Sequence, residues 1–521
     1  MEPSSLNATG SIIWQASDTL SVKLNFDYLD DELADYWGTP LMPVGSAQKP
    51  MHEVISTTTG ETLDHATRFL NYNVNDSRAE SDQLYLRADI EWMPIENLTI
   101  KNTLYKFDAD REWLNAEGYV FCTEVIDVCT EVGEIQRYYG YFFVFHDQDL
   151  IGNRFTAQYD FDFNGMGNSL LGGFEATSLD FERTRGFRRS EPQVPGDSVN
   201  PYAPIPGLYG PEELRGVSPT EINTRAVFLE NALKVNDRFS LVAAFRYEEL
   251  DLDRDNLNSD GVLEGSSFER DFDWTSWRLG SVLKLADNVA VYAQYSDAKD
   301  PVNANIFLVS GGENLDLTDA EQWEIGLKAI LAENKIEATV AYFDIERDDV
   351  LEQIGVDRAA NVGGRESNGV EISATWAASE QLKFGVNAAH TDAEFSRSTN
   401  FQNFAGNTPP NVPERTANFW TRYNFSTVPL TLGAALRYVD DRYGDNANNI
   451  TLNSYSLIDA FASWKHKNVV VNARVNNLAD EDYVSWSDVF YLGQNDPSFI
   501  YANQLLLGSP RTYEVSIAAS F

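Results

Sequence analysis

The last residues of the chain alternate between two kinds of side chain, and this alternation most constrains the fold. From Tyr513 to Phe521 every second residue is apolar, and the residues between them are small or polar. Successive side chains of a β-strand point to opposite faces, so this strand has one oily face and one wet face. Such a strand suits a wall between lipid and water, as in a transmembrane β-barrel with an aromatic carboxy-terminal residue.

The same two-faced pattern recurs along the whole chain and predicts about nineteen strands. The predicted strands are 6–14, 20–28, 84–92, 98–104, 137–163, 169–182, 224–235, 238–250, 272–285, 288–297, 321–331, 335–346, 367–377, 381–392, 414–425, 429–440, 455–465, 468–477 and the terminal strand. Tight turns alternate with long polar loops, which is typical of outer-membrane barrels with short periplasmic turns and long extracellular loops. We therefore expect an all-β fold, a transmembrane antiparallel β-barrel in the bacterial outer membrane.

Composition and charge exclude other classes of protein. The sequence has no run of about 18 apolar residues, which a membrane-spanning helix requires. The net charge is −41, from 80 acidic and 39 basic residues, and this argues against nucleic acid as a partner. We interpret most of the acidity as a solvated surface. The first residues show neither the basic start nor the apolar core of a signal peptide, so we expect a processed or truncated chain.

Two cysteines, Cys122 and Cys129, lie in one polar segment of an otherwise cysteine-free sequence. Their close spacing predicts a disulfide within a loop and an oxidising compartment, with two free thiols as the alternative. A metal site is less favoured, because His146 is the only histidine nearby in the sequence. We predict no metal and no cofactor.

Several segments resemble the barrel of TonB-dependent outer-membrane receptors. Val475–Tyr483 is similar to the family's "NLFDKxY" segment, and Gly508–Phe521 resembles its final "G-x-PR…F" strand. Glu321–Lys328 followed by Ala341–Arg347 resembles the "E-x-YE-x-GxK … FxI" hairpin, and Ser367–Ile372 resembles the "SxGxE" strand. The four similarities occur in the family's order.

This resemblance implies a barrel of roughly 22 strands around a plug, preceded by a signal peptide, a TonB box and the plug domain. None of these three is visible, so we interpret residues 1–521 as the barrel domain, with about nineteen of the family's strands. The family imports scarce ligands, most often ferric siderophores, and the TonB complex pulls on the plug to release them. The implied partners are a ferric siderophore or similar ligand, the TonB complex through the missing plug, and outer-membrane lipid and lipopolysaccharide.

One loop segment stands out as a candidate ligand site. Arg183, Arg185, Arg188 and Arg189 lie close together with Phe187 among them, in a chain that is otherwise strongly acidic. Many ferric siderophores are anionic, and arginine beside aromatic rings suits planar, charged ligands. The alternatives are binding to anionic lipopolysaccharide and pairing with acidic neighbours. Further aromatic candidates in the loops are Tyr36, Trp37, Trp113, Tyr202 and Tyr209.

No catalytic constellation is recognisable, and we expect a protein that is not an enzyme. The histidines are scattered, and no phosphate-binding glycine loop follows a strand. Four aspartates between Asp251 and Asp260 resemble a calcium loop, but Val262 stands where that loop requires glutamate, so a solvated acidic loop is favoured. The alternative functions are a passive porin-like or structural barrel and, less favoured, a secreted soluble β-protein.

Overall fold

The computed structural model describes residues 4–33, 36–116, 118–125, 129–137, 141–188, 197–301, 315–355, 358–398, 403–487 and 504–520. Within these ranges it has 31 β-strands, numbered β1 to β31 along the chain. Two candidate residues of the sequence analysis, Arg189 and Phe521, lie outside the described residues. The described part contains no helix that is both long enough and apolar enough to cross a membrane.

Nineteen long strands of the described ranges form one antiparallel sheet, in which each strand pairs with the next long strand along the chain. They are β1 (Ser4–Ser17), β2 (Leu20–Glu32), β7 (Arg78–Ile95), β8 (Leu98–Asn115), β11 (Phe142–Phe163), β12 (Met166–Arg188), β14 (Glu212–Lys234), β15 (Phe239–Arg254), β17 (Phe268–Ala286), β18 (Val289–Asp300), β19 (Thr318–Leu331), β20 (Ile336–Gly355), β21 (Arg358–Ala377), β22 (Leu382–Arg397), β23 (Arg415–Asn424), β24 (Leu430–Val439), β27 (Tyr455–His466), β28 (Val469–Asn476) and β31 (Thr512–Ala519). The all-β antiparallel prediction and the expected number of strands are confirmed.

Within the described ranges, β1 and β31 are the two ends of this strand order, since β1 pairs with β2 and β31 pairs with β28. The apolar side chains of β31 have a described neighbouring strand on one side, β28, and Tyr513 is 72% exposed. The further strands and the plug that the family resemblance implies stay a prediction.

The two faces of the sheet differ as the alternation predicts. On β17, Trp277, Leu279 and Leu283 are exposed apolar side chains, whereas Arg278 between them points to the other face and pairs with Glu230 at 2.7 Å. Ion pairs of this kind recur on that second face, which is the polar face expected to line a lumen. We call the apolar face outer and the polar face inner.

Aromatic rings mark the upper limit of the outer apolar belt on neighbouring strands. Trp277 lies 5.0 Å from Tyr295, and Trp323 lies 5.1 Å from Tyr342. Rings at this level suit the interface between lipid and water. Beyond this girdle the outer face becomes acidic, because Glu221, Asp253 and Glu269 occupy opposing positions on three successive strands.

The tight turns have the residues that such turns require. Asn164 and Gly165 join β11 to β12 with φ of 53° and 78°, and Phe163 pairs directly with Met166. Two consecutive residues with positive φ are the signature of a two-residue turn that matches the strand twist, and Asn-Gly is its favoured sequence. This turn fixes the register of the whole β11–β12 hairpin.

The strands at the loop end are longer than predicted. Arg183, Arg185 and Arg188 were expected in a loop, but β12 continues to Arg188, and Trp113 likewise belongs to β8. The prediction was wrong here because these upper strand segments lie above the lipid, where an apolar outer face is no longer needed. For the same reason β20 and β21 run to Gly355 and Arg358, where a long loop was expected.

Short strands organise the loops into a packed layer at this end. They are β3 (Thr39–Pro40), β4 (Met42–Pro43), β5 (Ile55–Thr57), β6 (Glu61–Thr62), β9 (Tyr119–Phe121), β10 (Ile135–Arg137), β13 (Ser198–Val199), β25 (Arg442–Tyr443), β26 (Ile450–Leu452), β29 (Val484–Ser487) and β30 (Gln504–Leu507). The remaining short strand, β16 (Leu257–Asn258), pairs with β14 and belongs to the large sheet. The segment 36–77 connects several loops, because its β5 pairs with β26 and its β3 pairs with β30.

Apolar side chains that are buried between the loops hold this layer together. Ile55, Leu63, Ile450 and Leu505 belong to one fully buried cluster, so burial stabilises the loop end much as it stabilises a soluble domain core. Cys122 and Cys129 form a disulfide in a neighbouring buried cluster, with their Cα atoms 5.5 Å apart.

Candidate ligand-binding site

A row of basic side chains crosses three neighbouring strands on the inner face. Arg111 on β8 stands opposite His146 on β11, and His146 stands opposite Arg183 on β12. Directly opposed residues of an antiparallel pair have Cβ atoms about 5 Å apart, so the three side chains are immediate neighbours. We call Arg111, His146 and Arg183 the basic ladder.

Aromatic rings accompany the basic ladder. The Arg111 guanidinium lies 5.2 Å from the centre of the Trp113 ring, and Trp113 meets Trp37 edge to face at 5.1 Å. His146 packs against Phe181 with 5.1 Å between the ring centres. Trp37 belongs to the segment 36–77, so a loop residue packs beside the residues of the barrel wall.

The basic side chains of this region become increasingly buried toward β15. Arg111 is exposed, Arg183 is 7% exposed, and Arg254 at the end of β15 is fully buried. The charges of Arg111 and Arg183 both act on His146, and those of Arg183 and Arg185 act on Arg254. Charges in a low-dielectric wall are weakly screened, so these basic side chains influence one another strongly.

Polar and apolar contacts fix the buried end of this positive region. The Arg254 Nε–H donates to the Asn256 side-chain oxygen at 3.2 Å, and the Ser218 hydroxyl donates to the same oxygen at 2.8 Å. Next to them lies an inner apolar cluster that includes Phe181, Leu252 and Trp274. These contacts fix the position of the Arg254 guanidinium inside the barrel wall.

Arg185 and Phe187 extend the site toward the loop layer. The Phe187 ring has the Arg185 guanidinium 5.5 Å from its centre and the Arg215 guanidinium at 5.1 Å. A ring flanked by two guanidinium groups is a typical cation–π arrangement. The structure thus brings five of the candidate residues to one region, and their contact with a ligand stays a prediction. They are Arg183, Arg185, Phe187, Trp37 and Trp113.

Arg188 and Tyr209 belong to a different cluster that ties the loops together. Arg188 forms a bidentate pair with Asp197 at 2.8 and 3.1 Å and lies 3.6 Å from the centre of the Tyr141 ring. The Tyr141 hydroxyl donates to Asp197 at 2.7 Å, and the Tyr209 hydroxyl donates to the Tyr141 carbonyl at 3.0 Å. We call Tyr141, Arg188, Asp197 and Tyr209 the rim knot.

The contacts of the rim knot match the alternative that the sequence analysis gave for these arginines, which was pairing with acidic neighbours. Burial and the adjacent Asp197 carboxylate raise the pKa of the Tyr141 hydroxyl well above its ordinary value of 10.0. The tyrosine therefore stays protonated and remains a donor to Asp197 at neutral pH.

Tyr36 and Tyr202 lie in the loop layer. The Tyr36 hydroxyl is 2.9 Å from the Thr39 hydroxyl, and the Tyr202 hydroxyl donates to Asp64 at 3.0 Å. Both residues have protein partners, and their contact with a ligand stays a prediction. The same holds for Arg189, which lies outside the described residues.

The sequence analysis did not assign Arg111, His146 or Arg254 to a binding site. The position of His146 opposite Arg183 could have been predicted from the sequence. Residues equally far from the Asn164-Gly165 turn stand opposite each other in the hairpin, and this rule pairs His146 with Arg183. No such rule reaches Arg111 or Arg254. A long loop separates β8 from β11, and β12 is likewise separated from β14, the strand that pairs with β15.

The described residues contain no group of three histidine, cysteine, aspartate or glutamate side chains arranged to hold a metal ion. Asp251 and Asp253, predicted in an acidic loop, are part of β15, and Asp251 lies 4.0 Å from Arg225.

Fold and sequence together define the family. The family described as "TonB dependent receptor-like, beta-barrel" matches residues 13–478, which is most of the chain. The chain belongs to this family and is an outer-membrane β-barrel.

Individual relatives resemble parts of the chain. The probable TonB-dependent siderophore receptor PiuA of Acinetobacter baumannii is 25% identical over 280 residues, covering 50% of this chain and 37% of that protein. The ferrichrome outer membrane transporter/phage receptor of Escherichia coli K12 is 32% identical over 249 residues, covering 45% of this chain and 31% of that protein. The matches thus span well under half the length of these relatives.

Solved structures show the same fold. The crystal structure of PiuA from A. baumannii superposes with a TM-score of 0.79 at 18% identity, covering 99% of this chain and 74% of that chain. The ferric-catecholate import receptor Fiu from E. coli K12, in its closed form, superposes with a TM-score of 0.79 at 17% identity, covering 100% of this chain and 75% of that chain.

Proposed function

We propose that this chain is the barrel of a TonB-dependent receptor that takes up a ferric siderophore across the outer membrane. The observation that carries the proposal is the basic ladder with its aromatic neighbours, which lies on the inner face directly below the loop layer. The names of the relatives support it, since PiuA is a probable siderophore receptor and the E. coli relative is a ferrichrome transporter.

The residue types suit such a ligand. A ferric siderophore is a bulky chelate with a large planar or apolar surface and often a negative charge. The exposed Arg111 offers charge-assisted hydrogen bonds to anionic donor atoms, and Trp37 and Trp113 offer ring surface beside it. Charge and aromatic surface are thus provided at one place.

The remaining partners belong to the same proposal. In this family a plug domain completes the ligand site, and the TonB complex acts on the plug, so we include both as partners of this barrel. Outer-membrane lipid would surround the apolar belt. Lipopolysaccharide would be the lipid of the outer leaflet around the upper part of that belt.

Tryptophan fluorescence tests the proposal. A ferric chelate bound at the ladder is expected to quench Trp37 and Trp113 in purified protein, with saturable binding in the micromolar range or below, and the iron-free chelate should quench much less. Replacing both with phenylalanine should remove most of the quenching. Trp464→Phe is the matched control, because Trp464 lies on the exposed outer face and stacks on His466.

Conductance separates the proposal from the passive-pore alternative, which the relatives do not favour. A protein that shows no saturable chelate binding but a stable, ohmic pore in planar bilayers would contradict the receptor function. Saturable binding that small neutral solutes do not compete with would support it.

A further inference from the structure

The last six long strands bring basic side chains together far from the candidate ligand site. Lys383 on β22 stands opposite Arg422 on β23, and Arg422 stands opposite Gly433 on β24. Gly433 stands opposite Phe461 on β27, and Phe461 stands opposite Arg474 on β28. Directly opposed residues of neighbouring strands share a face, so these side chains form one row across the wall. We call Arg422, Phe461 and Arg474 the lower row.

The lower row faces the inside of the barrel, at the end opposite the loop layer. On the same strands, Leu432 and Trp464 are exposed apolar side chains of the outer face, so the residues of opposite parity point inward. The row lies a few residues from the short turns that follow Asn424 and His466, whereas the basic ladder lies next to the loops. The two regions are therefore separate.

A depression of about 640 Å³ lies in the inner wall at this row. Phe461 forms its apolar floor, because the ring lies where a Cβ atom of Gly433 would be, and only glycine leaves room for it. Thr431, Ser463 and Asn472 line the depression one rung nearer the turns, where each stands opposite the next. The depression thus combines an aromatic floor with hydroxyl and amide groups.

The two arginines at the ends of the row have no carboxylate partner among the described residues. Arg422 and Arg474 are both exposed, and within the described ranges neither forms an ion pair. Glu514 stands opposite Arg474 but accepts a hydrogen bond from the Asn476 side chain at 2.7 Å. The Arg422 Nε–H donates to the neutral side-chain oxygen of Asn424 at 3.1 Å. Most N–H donors of both guanidinium groups stay available to a ligand.

The neighbouring charges leave the surroundings of the row positive. Within four residues of the row along its strands, the inner face carries the basic side chains Lys383, Arg437 and Lys465 and the acidic side chains Asp459 and Glu514. Asp459 already accepts a hydrogen bond from a backbone N–H at 2.9 Å. With the two arginines, five basic groups face two acidic ones, so the depression attracts anions although the whole chain has a net charge of −41.

The spacing of the arginines sets the length of a matching ligand. Three strand spacings, about 14 Å in total, separate the backbones of Arg422 and Arg474, and Phe461 lies between them. A guanidinium group binds a carboxylate through two parallel N–H···O bonds, and an aromatic ring packs well against a second ring. We propose that the lower row binds an elongated dianion, with one anionic group for each arginine and an apolar or aromatic middle over Phe461. This site goes beyond siderophore uptake and does not depend on it.

Calorimetry with three matched probes tests the proposal. Biphenyl-4,4′-dicarboxylate carries two carboxylates, biphenyl-4-carboxylate carries one, and the uncharged biphenyl-4,4′-dicarboxamide measures partition into detergent. Wild-type protein at low salt is expected to bind the dicarboxylate with a Kd of about 0.1 mM, which is typical of a ligand of this size. The monocarboxylate should bind at least about tenfold more weakly, because it lacks one hydrogen-bonded ion pair.

Substitutions assign the binding to the lower row. Arg422→Gln and Arg474→Gln should each weaken dicarboxylate binding at least about tenfold, to the level of the monocarboxylate. Both side chains are exposed, so the variants keep the fold. Arg278→Gln is the matched control, because Arg278 is also an inner-face arginine but pairs with Glu230 at 2.7 Å on other strands, and it should leave binding unchanged.

Three results would overturn the proposal. They are the absence of dicarboxylate binding, equal affinities for the dicarboxylate and the monocarboxylate, and a loss in Arg278→Gln as large as in the lower-row variants. Neither iron nor a residue of the basic ladder takes part in these measurements, so each of these results leaves the proposed function standing.

Discussion

Leu279→Arg is expected to lower the free energy of unfolding of the barrel in a lipid bilayer by about 2 kcal/mol, between the values for the bilayer midplane and for the interface. Leu279 lies on the outer face of β17 just inside the girdle residue Trp277, and it is 53% exposed. An arginine there would place a charge in hydrocarbon, where it finds no water and no acidic partner. Denaturant titration of the protein folded into vesicles measures the loss.

The control for this substitution is Val282→Arg on the same strand. Val282 also changes from apolar to arginine, but it has the opposite parity and stands opposite Tyr292, whose hydroxyl bonds Glu324 on the inner face. We expect a loss below about 1 kcal/mol, as for a substitution at a hydrated surface. Equal losses at the two positions would mean that the two faces of β17 do not differ in environment.

Asp197→Asn is expected to lower the local stability of the loop end by about 3 kcal/mol, because removing one partner of a buried pair leaves the other charge uncompensated. Asp197 accepts two hydrogen bonds from Arg188 and one from Tyr141, and its side chain is 6% exposed. We place the cost at the low end of the range for such pairs, since Arg188 keeps some solvent contact and its stacking on Tyr141.

Hydrogen exchange measures this effect region by region. Peptides from 197–211 and from the adjacent 134–137 should exchange about a hundredfold faster in the variant, the rate change that corresponds to this free energy. Barrel strands far from the knot should be unchanged. Asp237→Asn, which removes the solvent-exposed pair with Lys234, should leave all peptides unchanged. Unaltered exchange in Asp197→Asn would show that the rim knot does not stabilise the loops.

The lower halves of the strands could be predicted from the sequence because lipid imposes a strict rule on them. Every second residue from Trp277 to Leu285 faces hydrocarbon and, apart from Ser281, is apolar, so the alternation is visible without any structure. The same rule gave nineteen strands in their correct order. It ends where the lipid ends, and the predicted strands therefore stopped short of Arg188 and Gly355.

The candidate site could be predicted only in part, because register across long loops is invisible in the sequence. Composition indicated Arg183, Arg185 and Phe187, and the aromatic content of the loops indicated Trp37 and Trp113. Nothing local links Arg111 to His146, since their proximity depends on how β8 pairs with β11 across a long loop.

The loop layer was the least predictable part. Tyr209 and Arg188 are residue types that often bind ligands, yet the structure places both in the rim knot with Tyr141 and Asp197. Their partners come from loops far apart in the sequence, and such contacts follow from tertiary packing rather than from any periodic pattern.

The central claim is that each long strand has one face toward lipid and one toward water, and a single-cysteine scan of β17 tests it most directly. Cys122 and Cys129 are joined in a disulfide, so each introduced cysteine is the single reactive thiol. Residues 277–283 are replaced one at a time, labelled with an environment-sensitive fluorophore, and reconstituted into vesicles that contain brominated lipid. We predict strong quenching at 277, 279, 281 and 283 and little quenching at 278, 280 and 282. Quenching that is equal at odd and even positions, or that repeats every three to four residues, would contradict the account.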